Sequence, residues 1–276
     1  MSYRTELVPL DDRSKQLRRS ILRMMKSADR GHLGAAFSLV EIMRVLYDNI
    51  LNYRADQPDW LERDRCILSK GHGCLALYAI LADKKFFPDM ELDKFCEFDG
   101  ILGGHPDSRK IPGVEACTGA LGHGLSIGIG MAFSARMDNS ARHIYVITGE
   151  GEINEGSIWE GAMSASKHKL DNLTVLIDYN KLQSYGSTHE VLDLEPLADK
   201  WMSFGFAVEE VDGHDVNKLK GLLAKKPFSR SQPFVIICHT VKGRGIPFAE
   251  SNPHWHHQSR IGQKGFQQLY NSLDTS

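Results

Sequence analysis

The sequence predicts an α/β fold: a doubly wound, mainly parallel sheet with helices on both faces. Three observations carry this expectation. The stretch from His143 to Gln183 reads as strand, glycine-bracketed turn, helix and strand, the pattern of a βαβ unit. Strand-like and helix-like segments alternate along the rest of the chain. Strand–turn–helix junctions recur at Ser69-Lys70-Gly71-His72-Gly73 and Gly149-Glu150-Gly151, and a parallel sheet opens such turns onto one crevice. No repeat, low-complexity tract or clear linker breaks the pattern, so residues 1–276 are expected to form a single domain.

From Asp11 to Met25, Leu17, Ile21, Leu22 and Met25 stand at helical spacing among arginines and lysines. This helix is expected to end near residues 27–30, before a loop, Gly31-His32-Leu33-Gly34. Ser38, with Glu41 three residues on, carries the signature of a helix start, and that helix runs to about Leu51. Arg65 to Ser69 reads as a short strand, Lys70 to Gly73 as a tight turn and Cys74 to Ala82 as an apolar helix. Lys84 to Phe98 mixes charge with aromatics and reads as a surface excursion. Gly103-Gly104-His105-Pro106-Asp107 is another glycine-flanked histidine turn.

Thr118 to Gly124 is glycine-rich and leads into a helix from Leu125 with small residues on one face. Ser157 followed by Glu160 is a capping-box pattern for the helix of the central unit, and Leu173 to Asn180 is its second strand. Tyr185 to His189 reads as a turn. Pro196 to Phe204 reads as a helix with proline at its first position and Trp201 packed inward. Phe206 to Val211 is a strand, Val216 to Ala224 a helix and Pro233 to His239 a buried strand.

Hydrophobic residues make up 42% and charged residues 25% of the chain, the balance of a globular protein with a substantial core. A net charge of −2 without a long basic run argues against non-specific nucleic-acid binding as a main activity. No uninterrupted apolar run is long enough to span a bilayer, and Met1 to Ser20 are polar and charged rather than signal-like. Cys66, Cys74, Cys96, Cys117 and Cys238 are scattered with no C-x-x-C pair, which points to reduced thiols and a cytoplasmic protein.

Gly149 and Gly151 let the backbone approach a pyrophosphate beside a helix N-terminus. Glu150 offers a carboxylate, Asn180 a side-chain carbonyl, and the turn after Asn180 a backbone carbonyl, the hard oxygens that magnesium takes. The other reading of this pattern is a loop between buried strands with an incidental acid. His32, His72 and His105, each in a glycine-bearing turn, and the cluster Trp255-His256-His257 are candidates for proton transfer or ligand contact if the fold brings them together.

The run Gly149-Glu150-Gly151-Glu152-Ile153-Asn154-Glu155-Gly156, closing at Asp178-Tyr179-Asn180, resembles the thiamine diphosphate motif of transketolases. Gly31-His32, Ser69 to Gly73, Gly104-His105-Pro106 and Thr118 to Gly122 follow that family's order and approximate spacing, so the likeness covers nearly the whole chain. It implies the thiamine diphosphate-binding fold and the N-terminal, pyrophosphate-binding subunit of a split, two-chain transketolase. By the match His32, His72, His105 and His256 are catalytic, and His254 and His257 offer alternative registers for the last. His72, His256, Gly119, Leu121, Glu150, Gly151, Glu155, Asn180 and Leu182 are implied cofactor contacts. Glu150, Asn180 and the Leu182 carbonyl are the implied ligands of Mg2+, or of Ca2+ or Mn2+ in its place. Glu155 and Glu160 resemble an acidic network that couples paired sites, and Glu160 equally reads as a helix cap.

The implied reaction moves a two-carbon ketol unit from a ketose phosphate to an aldose phosphate, with the cofactor as electron sink. A separate C-terminal subunit, carrying the pyrimidine-binding domain and most sugar-phosphate contacts, is the implied partner in an α2β2 assembly, with no nucleic acid or membrane. Several positions depart from the family pattern: Glu150 stands where Asp is usual, Leu33 where Pro is usual, and His123 where Gln is common. Other readings are a deoxyxylulose-phosphate synthase-like enzyme, the α subunit of a ketoacid dehydrogenase, or a non-catalytic subunit that keeps the fold. The separate histidine loops favour transketolase over the dehydrogenase subunit.

Overall fold

The computed structural model describes residues 8–184, 186–225 and 231–276. Its strands are β1 (Arg30–Gly31), β2 (Arg65–Leu68), β3 (Ile144–Gly149), β4 (Leu173–Tyr179), β5 (Ala207–Asp212), β6 (Phe234–His239) and β7 (Gln258–Ser259). Strands β2 to β6 form one sheet in the order β2-β3-β4-β6-β5, and every pair is parallel. β1 and β7 form a separate antiparallel ribbon.

The central strands are apolar throughout because both faces are covered. Side chains alternate between two cores with the period of a strand. Tyr145 and Ile147 of β3, with Phe234 and Ile236 of β6, enter one core. Ile144 and Val146, with Val235 and Ile237, enter the other. The first core is closed by α1 (Asp12–Ala28), α2 (Leu33–Ser38), α3 (Val40–Val45) and α4 (Cys74–Asp83). The second is closed by α5 (Gly124–Met137) and α6 (Gly156–Lys167). The doubly wound architecture is the one expected. Gly128 of α5 shows why small residues line that helix: a Cβ there would lie 2.5 Å from Val146 Cγ2.

Beyond α6 come α7 (Thr188–Val191), α8 (Leu197–Ser203), α9 (Val216–Leu223) and α10 (Gly262–Thr275). Trp201 of α8 is fully buried, as expected. α10 is an addition to the elements expected from sequence, although Phe266, Leu269 and Leu273 give it a helical apolar stripe that enters the first core.

Several local expectations give way to tertiary structure. Gly31 to Gly34 is not a loop: β1 pairs with β7, His32 is the N-cap residue of α2, and the helix begins at Leu33. Ser38 does not cap a helix. It lies inside α2, where its hydroxyl donates to the Ala35 carbonyl at 3.1 Å and to Asp178 at 2.6 Å. The helical path continues through α3 into a π-helical turn, Leu46–Ile50. Ser157 likewise closes no capping box: it lies inside α6, whose N-cap residue is Glu155, and its hydroxyl donates to the Gly122 carbonyl at 2.9 Å. A capping box does form between Ser187 and Glu190, so part of the expected turn is α7; Tyr185 lies outside the described residues. The stretch from 84 to 98 buries Phe86, Phe87, Leu92 and Phe95, so it is surface only in part, through its charged residues together with Met90 and Phe98. Among the described residues no helix is long and apolar enough to cross a membrane.

Candidate active site

The carboxyl ends of β2, β3, β4 and β6 meet at one crevice, where an open parallel sheet binds ligands. Register sets the arrangement: Gly149 lies opposite Asp178, and Tyr179 opposite His239. Glu150 and Asn180 therefore leave neighbouring strands side by side. The backbone N–H of Leu182 donates to Glu150 Oε1 at 3.1 Å and to Asn180 Oδ1 at 3.2 Å. The Leu182 carbonyl accepts from Lys242 Nζ at 2.8 Å. These groups, with Gly151, Leu121 and His256, line a cavity of about 130 Å³.

Three of the expected histidines meet at its edge. The ring centroids of His32, His72 and His256 stand 5.5 to 5.6 Å apart. β1, β7 and the start of α2 make this possible, because the ribbon holds His32 against the segment carrying His256. His257 also joins, 4.7 Å from His32, although it is exposed, as is His254. His105 lines an adjoining cavity of about 240 Å³ with His32 and His72, and its ring approaches Gly119, where a Cβ would lie 3.8 Å from His105 Cγ. Glu155, the N-cap residue of α6, and Glu160 within it are exposed, outside the lining of the 130 Å³ cavity.

Below the crevice lies a buried polar layer. Asp178 accepts from Lys70 Nζ, from the Thr240 hydroxyl and from Ser38. Burial pushes Asp178 up, but the Lys70 charge and these bonds outweigh it and hold the carboxyl below its ordinary value. At Glu150 burial, followed by the Asp178 charge, outweighs the Lys70 and Lys242 charges and pushes the carboxyl up to about 7. Burial brings Lys242 down to about 8. Burial brings His32 down to about 4 and His256 to about 3, helped by neighbouring cationic side chains. His72 is lowered by the same causes. Glu152 ties the turns together: it accepts from the Ser69 hydroxyl, from Gly122 N at 2.9 Å and from Gly149 N at 3.1 Å.

The residues fit an anionic group held through a hard cation. Gln183 Nε2 and His256 Nδ1 are buried without a hydrogen-bond partner among the described residues, and both residues line the cavity. A Cβ on Gly151 would lie 3.2 Å from the Gln183 side chain, so glycine keeps this cradle open. Among the described residues no three His, Cys, Asp or Glu side chains gather for a metal. The candidate set is instead one carboxylate, one carboxamide and one carbonyl, which suits a magnesium ion that keeps positions for water and phosphate. A cation beside Glu150 also offsets the cost of its buried charge. Lys70, Glu152, Asp178 and Lys242 are site residues that sequence reasoning misses. Ser69-Lys70-Gly71 and Val241-Lys242-Gly243 do carry a signal, a lysine just beyond a buried strand and beside glycine.

The family model described as transketolase, thiamine diphosphate binding domain, matches residues 12–275. One subunit of the apulose-4-phosphate transketolase of Actinobacillus succinogenes is 43% identical over 266 residues, covering 95% of this chain and 95% of that protein. Its counterpart from Phocaeicola vulgatus is 40% identical over 248 residues, covering 90% and 88%. Among solved structures, transketolase from Campylobacter jejuni superimposes with a TM-score of 0.87 at 26% identity. That match covers 95% of this chain and only 42% of the other.

Proposed function

The chain belongs to the transketolase thiamine diphosphate-binding domain family, and from this premise we propose how its crevice works. It is the N-terminal subunit of a thiamine diphosphate-dependent transketolase, a transferase whose other half is a separate chain. In our reading residues 1–276 act as one pyrophosphate-binding domain in the cytoplasm. A C-terminal subunit completes each site in an α2β2 assembly, and the substrates are sugar phosphates. Apulose-4-phosphate is named for two similar proteins, which supports a phosphorylated ketose as donor.

The observation that carries the reading is the convergence of Glu150 Oε1 and Asn180 Oδ1 on one N–H beside three clustered histidines. Glu150, Asn180 and the Leu182 carbonyl would hold Mg2+. His72, His256, Lys242 and the Gly151 turn would hold the diphosphate, with Gly119 and Leu121 presenting backbone to the cofactor. Bound there, thiamine diphosphate would supply the electron sink for breaking a carbon–carbon bond.

The protein's own task is to move protons at the sugar hydroxyls. In this reading His32, His72, His105 and His256 do so, which their grouping around the two cavities supports. The low values of His32 and His256 come first from burial and then from cationic neighbours, and the negative charge of a diphosphate, if bound there, would oppose the second cause. Glu155 and Glu160, exposed beside the crevice, would face the partner subunit.

Calorimetric titration of thiamine diphosphate with magnesium, on this chain alone and with its partner subunit, tests the proposal. Binding that requires the mixture, followed by two-carbon transfer from a ketose phosphate, is the expected result. Absence of binding in both, for the wild type and for Glu150→Asp, overturns it.

A further inference from the structure

Among the first core's helices lies a buried triad, Arg18, Glu41 and His214, outside the histidine cluster. The Arg18 guanidinium donates to both carboxylate oxygens of Glu41, at 2.6 and 3.0 Å. Glu41 Oε2 lies 2.8 Å from His214 Nδ1, and the opposite ring nitrogen, Nε2, lies 2.8 Å from the backbone N of Val241. All three side chains are buried.

A backbone N–H can only donate, so His214 Nε2 must accept and the ring proton must sit on Nδ1, facing the carboxylate. The ring thus transmits orientation from Glu41 to the backbone immediately before Lys242. Arg18 reinforces the same segment by donating to the Arg244 carbonyl at 2.8 Å, and Gly243 N donates to the Gly34 carbonyl at 3.1 Å. Arg18 also holds the Phe37 carbonyl of α2 at 3.0 Å. One triad therefore fixes both the helix that begins after His32 and the segment that carries Lys242 to the Leu182 carbonyl.

We propose that His214 is a positioning residue whose Nδ1–H tautomer sets the backbone at Val241 and so holds Lys242 in the cofactor cleft. This rests on the reading of that cleft as the thiamine diphosphate site. His214 touches no reacting atom. Its effect passes through a single backbone amide.

Three measurements test this. Nitrogen-detected NMR of the wild type reads the His214 tautomer without any mutation: the proton is expected on Nδ1, and a proton on Nε2 overturns the proposal. Acetic anhydride labelling of Lys242, read by peptide mass spectrometry, should accelerate in His214→Leu and return towards wild type in His214→Gln, which keeps an acceptor for Val241 and a donor for Glu41. Unchanged labelling in a folded His214→Leu protein overturns it. Finally, His214→Leu should weaken thiamine diphosphate binding to the two-chain complex about tenfold, with no added loss when Lys242 is already Met. Additive losses would show that His214 acts elsewhere. If the wild-type complex binds no thiamine diphosphate, the functional reading fails, while tautomer and labelling still decide the positioning role.

Discussion

Glu150 and Asn180 accept hydrogen bonds from the same donor, the backbone N–H of Leu182, at 3.1 and 3.2 Å. The two side chains come from different strands, so this convergence is a product of sheet register rather than of local sequence. Glu150→Ala removes the only carboxylate of the candidate set. Loss of one charge-assisted contact costs roughly 1.5–3 kcal/mol, so magnesium-dependent thiamine diphosphate affinity is expected to fall about 10- to 100-fold. Calorimetry of the two-chain complex measures it, and equal affinity in the variant would take Glu150 out of the ligand set.

The crevice also makes stability depend on pH with two opposing signs. His32 and His256 are lowered in the folded chain to about 4 and about 3, from 6.5. The folded state then binds fewer protons than the unfolded one, so their contribution is present above the unfolded value and lost as pH falls towards the folded ones. Glu150 is raised from 4.5 to about 7, so its contribution is present below the unfolded value and lost as pH rises towards 7. Between pH 4.5 and 6.5 the two slopes oppose each other. Glu150→Gln removes only the falling limb. Urea midpoints of this variant should rise more steeply with pH than those of the wild type, and parallel curves would refute the assignment.

Asp178→Asn strands the Lys70 ammonium in a site where both side chains are almost completely buried. Removing one member of such a pair costs about 3–5 kcal/mol. Equilibrium urea unfolding should show a loss of that size. A loss below about 1 kcal/mol would mean that the pair is as solvated as a surface one.

His32→Ala should separate catalysis from cofactor binding. The ring faces the histidine cluster and the 240 Å³ cavity but does not line the smaller one beside Glu150. Loss of a positioned proton-transfer group lowers turnover by about 100-fold or more. Steady-state kinetics with a ketose donor should show that drop in kcat, with thiamine diphosphate affinity nearly unchanged. Equal losses in both would assign His32 to the cofactor instead.

The βαβ unit around Glu150 is legible because strand, glycine turn and strand are all local signals, and His72 is legible for the same reason. The expected helix starts at Ser38 and Ser157 fail because both serines lie inside helices that begin earlier, where their hydroxyls donate to Asp178 and to the Gly122 carbonyl instead of accepting from a free helix N–H. Spacing does not single out Lys242 and Asp178, since their roles depend on which strands become neighbours. The register of the histidine cluster is open in the sequence, and the structure brings both His256 and His257 against His32.

The ribbon of β1 and β7 joins Arg30 to Ser259 across most of the chain's length. Closing this loop costs more entropy than closing that of any pairing in the parallel sheet, the longest of which joins Arg65 to Ile144. The parallel sheet can assemble without that closure, so the histidine wall is expected to form last during folding. Pulse-labelling hydrogen exchange should therefore protect the amides of β4 before that of Gly31. On that order chemical competence would trail global compactness, and a newly made chain would be a folded scaffold before it is part of an enzyme.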